Sequence, residues 1–227
     1  MLLAIDTSTA IASVALYDGV MGGECTWLAR QDHTRQLMPQ IVNLLHTHNL
    51  LPHDLSGVGV SLGPGSYNGL RVGLATAKAL ALTLHLPIVG VNTLAVSAYA
   101  HNGVGLPVRP VLDAGRGQAS TALYAWEGES WTERESPQLV DPPELVRLVR
   151  EPTLLVGEWR SDWLPPLLEA CGDLVRLPSA ASNFRRAGFL AELAWRRLQA
   201  GQVDDVAMLQ PLYLRKPAIT VSRRECG

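Results

Sequence analysis

LLAIDTSTAIASVALY, residues 2–17, decides the fold, because VLDAGRGQASTALY, residues 111–124, repeats its plan. Asp6, Ala12, Ser13, Ala15, Leu16 and Tyr17 recur as Asp113, Ala119, Ser120, Ala122, Leu123 and Tyr124, each 107 positions later (113 minus 6). An apolar residue, Ile5 or Leu112, precedes each aspartate. Both copies read as strand, tight polar turn, strand. Identities at one offset mark a duplicated structural unit. Two halves of common topology are therefore expected, residues 1–104 and 105–227, with Gly103-Val104-Gly105-Leu106-Pro107 reading as the linker.

Outward from the first copy, Asp18-Gly19 is a hairpin turn signal and Val20–Leu28 a third strand, at an edge because Gly22-Gly23 weakens it. His33–His48 carries Leu37, Ile41, Leu44 and Leu45 at helical spacing, with Thr34 as the expected N-cap. Gly57–Leu62 is a buried strand. GPGSYNGLRVGL, residues 63–74, then leads into a helix that runs to about Leu84, with Pro87 beyond its end. A glycine-rich loop entering a helix presents free N–H groups that can bind an anion. The loop is neither GxxxxGK[ST] nor GxGxxG, so a second reading stays open: a tight connection in which glycine permits close helix–strand packing. Asp6, Thr7, Ser8, Gly63, Gly65 and Ser66 are the candidate nucleotide or phosphate turn.

The helix after this loop is apolar nearly all round. Leu70, Leu74, Ala77 and Ala81 make one face, and Val72, Ala75, Ala79, Leu80 and Leu82 spread apolar surface over the rest. Such a helix is buried on more than one side. Either a second helix or another chain covers the side away from the sheet, or the burial lies wholly within the domain.

In the second half, Val108–Leu112, Ala119–Trp126 and Trp131–Leu139 read as strands. Asp141-Pro142-Pro143-Glu144 opens a helix with early proline and an acidic first turn. Thr153–Val156 is a strand, and Ser161–Ala170 and Phe184–Ala200 are helices. Two halves of three antiparallel strands followed by alternating helices and strands give an α/β class. The architecture is a duplicated ribonuclease-H-like fold, as in the actin, hexokinase and Hsp70 group. Asp6 and Asp113 sit at the turns that approach phosphates in such folds. Their carboxylates either hold a metal or its water shell, or cap their own turns.

Composition bounds the function. The 227 residues are 47% hydrophobic and 18% charged, enough for real cores. A net charge of −2 does not suggest a stand-alone nucleic-acid binder. Cys25, Cys171 and Cys226 form no CxxC pair, which suggests neither a zinc knuckle nor a disulfide framework. MLLAIDTST has no basic leader, and Leu74–Leu86 is too short and mixed to span a bilayer. A cytoplasmic protein is expected. Arg215, Lys216, Arg223 and Arg224 make the C-terminal segment basic; it reads as a solvated terminus before it reads as a phosphate contact.

LLAIDTSTAIASVALYDG, HTRQLMPQI, GPGSYNGLRVGLATAKALA, PIVGVNTLA, VLDAGRG and PLYLR together resemble the TsaB family, also called YeaZ. The likeness is strongest over residues 1–116. GPGSYNGLRVG is its most specific part and is shared more loosely with the catalytic paralogue TsaD. The resemblance implies an actin-like fold and a non-catalytic subunit. With TsaD and the ATPase TsaE it supports formation of N6-threonylcarbamoyladenosine at position 37 of tRNAs reading ANN codons. The threonylcarbamoyl group comes from a separate synthase, TsaC.

It further implies pairing with TsaD, and homodimers when isolated, through the two first-half helices. Carried over, that surface is His33, Leu37, Ile41, Leu70, Arg71, Leu74, Ala77, Lys78 and Ala81, so a charge placed at Leu74 or Ala77 should disrupt pairing without unfolding the chain. It implies no cofactor held by this chain alone, ATP used by the assembly, nucleotide at the partner interface, tRNA met through the complex, and no membrane. TsaD-like proteins carry HxxxH on a helix for metal; none occurs here, and no GxSxG elbow occurs either. DAGRGQ departs from a bulkier family turn, which puts a site there in doubt. The alternatives are an autonomous ATP-dependent kinase using Asp6 and the Gly63–Gly73 loop, and a metallopeptidase.

Overall fold

The computed structural model describes residues 1–215. It contains two five-stranded sheets. The first is β1 (Leu2–Asp6), β2 (Ile11–Tyr17), β3 (Met21–Leu28), β4 (Gly57–Gly63) and β5 (Ile88–Asn92), ordered β3-β2-β1-β4-β5. The second is β6 (Val108–Asp113), β7 (Ala119–Glu127), β8 (Ser130–Val140), β9 (Thr153–Glu158) and β10 (Val175–Arg176), ordered β8-β7-β6-β9-β10. In both, three strands are antiparallel and the last two join in parallel. The duplication read from the sequence is thus a duplication of topology.

The helices are α1 (His33–Thr47), α2 (Tyr67–Leu84), α3 (Thr93–Tyr99), α4 (Pro142–Leu148), α5 (Leu164–Cys171) and α6 (Ala187–Gln199). Asp32, not Thr34, stands at the N-cap of α1, with no side-chain cap bond. Asp141 and Glu144 cap α4 reciprocally. The last helix begins at Ala187 rather than Phe184, because Arg186 is extended.

Alternation along β1 sorts its side chains between two layers. Leu3 and Ile5 meet Leu37, Ile41, Leu74 and Ala77 of α1 and α2. Leu2 and Ala4 face the other way, onto Ala187, Leu190, Ala191 and Ala194 of α6. On the second sheet, Val111 and Leu155 pack under α4 and α5, while Leu112, Ala122 and Tyr124 face Leu94 and Ala98 of α3. The third helix of the second half, α6, therefore packs on the sheet of the first half, while α3 lies between the sheets, with Val96 against the first and Leu94 and Ala98 against the second. This corrects the boundary expected at residue 104/105. The first lobe includes α6, and Asp204 returns to bridge Ile88 beside it. Burying Leu190 alone is worth about 2 kcal/mol, so α6 is integral to the first core.

The two aspartates of the repeat are not structural equivalents. Ser13 lies opposite Asp6, but its counterpart Ser120 lies opposite Leu112. Asp113 falls one step further along, opposite Ala119. A one-residue slip moves a side chain to the other face of a sheet, so Leu112 occupies the place of Asp6. Asp6 is buried and Asp113 is exposed.

Candidate functional site

The first turn is a closed polar centre. Asp6 is 1% exposed. Its Oδ1 accepts from Ser8 N at 2.9 Å, Ser8 Oγ at 2.6 Å and Ser61 Oγ at 2.9 Å. Its Oδ2 accepts from Arg185 Nε at 2.7 Å. Arg185 Nη1 donates to Glu158 Oε1 at 2.7 Å, and Nη2 donates to Thr9 Oγ1 at 2.7 Å. Burial by itself would raise the Asp6 carboxyl, but the Arg185 charge and the Ser8 bonds outweigh it and hold it below its ordinary value. Asp6, Thr7 and Ser8 are all buried, and Thr7 Oγ1 donates inward to Gly69 O at 2.7 Å. None of the three presents a free oxygen to a phosphate or metal. Of the two readings of Asp6, phosphate or metal ligand and cap of its own turn, the bond from Ser8 N matches the second.

The glycine-rich loop has a packing cause. Gly65, Gly69 and Gly73 recur every four residues, and an added Cβ at each would overlap Ser8 O, Thr7 O and Thr7 Oγ1 respectively. Glycine lets the start of α2 sit directly on the β1–β2 turn. Ser66 caps α2, its Oγ accepting from Gly69 N at 3.3 Å.

Between the lobes lie two adjoining hollows of about 420 and 460 Å³. Gly65, Ser66 and Tyr67 form one wall, while Leu112, Asp113 and Ala114 form the other. Leu212–Arg215 crosses the mouth: Leu212 N donates to Leu62 O at 2.7 Å, and Arg215 reaches Ala114 O at 3.5 Å. Tyr213 stacks on Tyr67 with ring centroids 5.4 Å apart, and the Arg71 guanidinium lies 4.0 Å from the Tyr67 centroid. Gly65 and Ser66 thus reach the cleft. Asp113 reaches it too, with one oxygen taking Gly115 N at 2.8 Å.

The residues expected on a partner surface are mostly interior. His33, Leu37, Ile41, Leu70, Leu74, Ala77 and Ala81 are all buried within the chain. His33 Nε2 is bonded to Thr9 O at 2.8 Å. Arg71 and Lys78 turn to the C-terminal segment instead, meeting Tyr213 and Ala207 O. The cause is the sheet: the most apolar face of each helix packs there first. The outer face carries Met38 on α1 and Ala75, Thr76, Ala79, Leu80 and Thr83 on α2, which with Pro52 and Leu84 line an open apolar trough of about 520 Å³. Val42 and Leu82 flank it, 58% and 59% exposed.

A family model described as TsaD, tRNA N6-adenosine threonylcarbamoyltransferase, matches residues 7–159. The tRNA threonylcarbamoyladenosine biosynthesis protein TsaB of Bacillus subtilis is 34% identical over 220 residues, spanning 94% of this chain and 93% of that one. The chain belongs to the TsaB family. YeaZ from Pseudomonas aeruginosa superposes with a TM-score of 0.77 at 22% identity, covering 94% of this chain and 99% of that one. A ROK hexokinase from Thermus thermophilus gives 0.50 at 11% identity, covering 88% and 99%. The fold is the duplicated actin-like one, here in a TsaB chain. Among the described residues no three His, Cys, Asp or Glu side chains converge on a point, and no helix is long and apolar enough to cross a membrane. Residues 216–227, with Lys216, Arg223, Arg224 and Cys226, lie outside the described residues.

Arg185 and Glu158 escaped the sequence reading. Arg185 stands 179 residues from Asp6, at the start of a stretch read only as a helix, and Glu158 ends a strand whose apolar residues alone were diagnostic. The only sequence signal was indirect: a carboxylate on a strand flanked by buried residues needs a cation.

Proposed function

We propose that this chain is the non-catalytic partner of a TsaD-type transferase, required for forming threonylcarbamoyladenosine at position 37 of tRNAs reading ANN codons. The apolar trough on the outer face of α1 and α2 carries the reading. Its alanines leave room for close helix approach, and Met38, Val42 and Leu82 supply area to bury against a facing helix. The same face serves the homodimer when the chain is alone, so the two assemblies compete. TsaE joins the TsaD-bound form, tRNA is met through the whole complex, ATP is used by the assembly, and a nucleotide lodges at the partner interface. The burial of Asp6 and its four hydrogen bonds favour this role over an autonomous kinase, which would need that carboxylate free.

Reconstitution decides the matter. With TsaD, TsaE, the TsaC synthase, ATP, threonine, bicarbonate and unmodified tRNA, modified nucleoside should form only when this chain is added. Full activity in its absence sinks the proposal.

A further inference from the structure

We propose that Arg185 is a built-in cation that fixes the separation of the two lobes and makes it independent of any bound nucleotide or metal. The guanidinium joins three parts of the molecule. Asp6 and Thr9 belong to the first turn of the first lobe, Glu158 ends β9 of the second lobe, and Arg185 lies just before the helix that crosses between them. Each of the three bonds is 2.7 Å. The Arg185 and Asp6 side chains are 4% and 2% exposed, so neither charge can be stranded cheaply. A planar fork reaches three acceptors at once, which a lysine ammonium at the same place cannot match. Glu158 Oε1 also accepts from Thr9 Oγ1 at 2.9 Å, closing a ring across the base of the cleft.

The chain supplies the cation facing Asp6 from its own second half. The lobes then meet through a bond set encoded in the sequence, and the trough on α1 and α2 is presented by a body of one shape.

Hydrogen exchange on the isolated full chain tests this, using Glu158→Ala and Arg185→Lys. Glu158→Ala keeps the Asp6–Arg185 pair and so keeps the first core. Amides of residues 6–10 and 157–160 should exchange about tenfold faster or more in both variants, while Leu3 and Ile5 in the strand centre keep wild-type protection in Glu158→Ala. Millimolar Mg²⁺ and ATP should leave the wild-type pattern unchanged. Wild-type exchange in Glu158→Ala, or slowing of residues 6–10 and 157–160 in the wild type by Mg²⁺ and ATP, overturns the proposal. If Arg185→Lys fails to fold, the Glu158→Ala and ligand arms still decide it.

Discussion

Asp6 shows how one side chain changes its meaning with its surroundings. An aspartate closing β1 of an actin-like fold suggests phosphate chemistry, yet here it is an internal counter-ion. Asp6→Asn keeps the shape but removes the charge opposite Arg185. Urea unfolding should show a loss of about 3 kcal/mol; a loss below 1 kcal/mol would mean that the pair contributes little.

The same carboxyl sets an acid limit. Its folded pKa lies below the unfolded value of about 3.9. The stabilisation is therefore complete above pH about 4 and disappears as pH falls through the folded value. Unfolding free energies measured between pH 6 and 2 should decline less steeply for Asp6→Asn than for the wild type. Parallel declines would assign the acid limb to other carboxyls. The repeat singled out Asp6 correctly, but its partner was not legible. Ion pairing depends on three-dimensional proximity, and nothing near residue 185 marks a position that folds back on residue 6.

Among the elements, α2 was the most legible and the most easily misread. The spacing of Leu70, Leu74, Ala77 and Ala81 identified its packed stripe, while its all-round apolar character came from a second face that stays open in this chain. Periodicity records which residues share a face, but it does not say whether a sheet or another chain lies opposite. Burial resolves this, and it separates two neighbouring alanines. Ala77 is fully buried and Ala79 is exposed in the trough. Ala77→Glu should cost more than about 3 kcal/mol, by thermal melting, through an unpaired buried charge. Ala79→Glu should stay within about 0.5 kcal/mol of wild type while weakening co-purification with TsaD. Undiminished association in Ala79→Glu would move the interface elsewhere. The glycine loop followed the same logic: its two readings could be told apart only once Thr7 and Ser8 were seen where side chains would otherwise stand.

At the scale of the whole molecule, the repeat foretold two lobes of one topology and put the boundary in the wrong place. Identity at one offset reports the paired strands, where the sequence is most constrained. It is silent on α3, which lies between the two sheets, and on α6, which covers the first sheet from the second half of the chain. A fragment ending at residue 104 should accordingly lack a cooperative melting transition by calorimetry, because Leu2, Ala4, Ala15, Val89 and Val91 lose the cover of α6. A sharp transition in that fragment would show the first lobe to be self-sufficient.

The late arrival of α6 also sets a timetable for synthesis. The first sheet has all its strands once Asn92 is made, but its covering helix begins at Ala187, 95 residues later (187 minus 92). At typical elongation rates that interval lasts on the order of 5–20 s. For that time an apolar sheet face waits at the ribosome, a natural substrate for the chaperones that attend nascent chains.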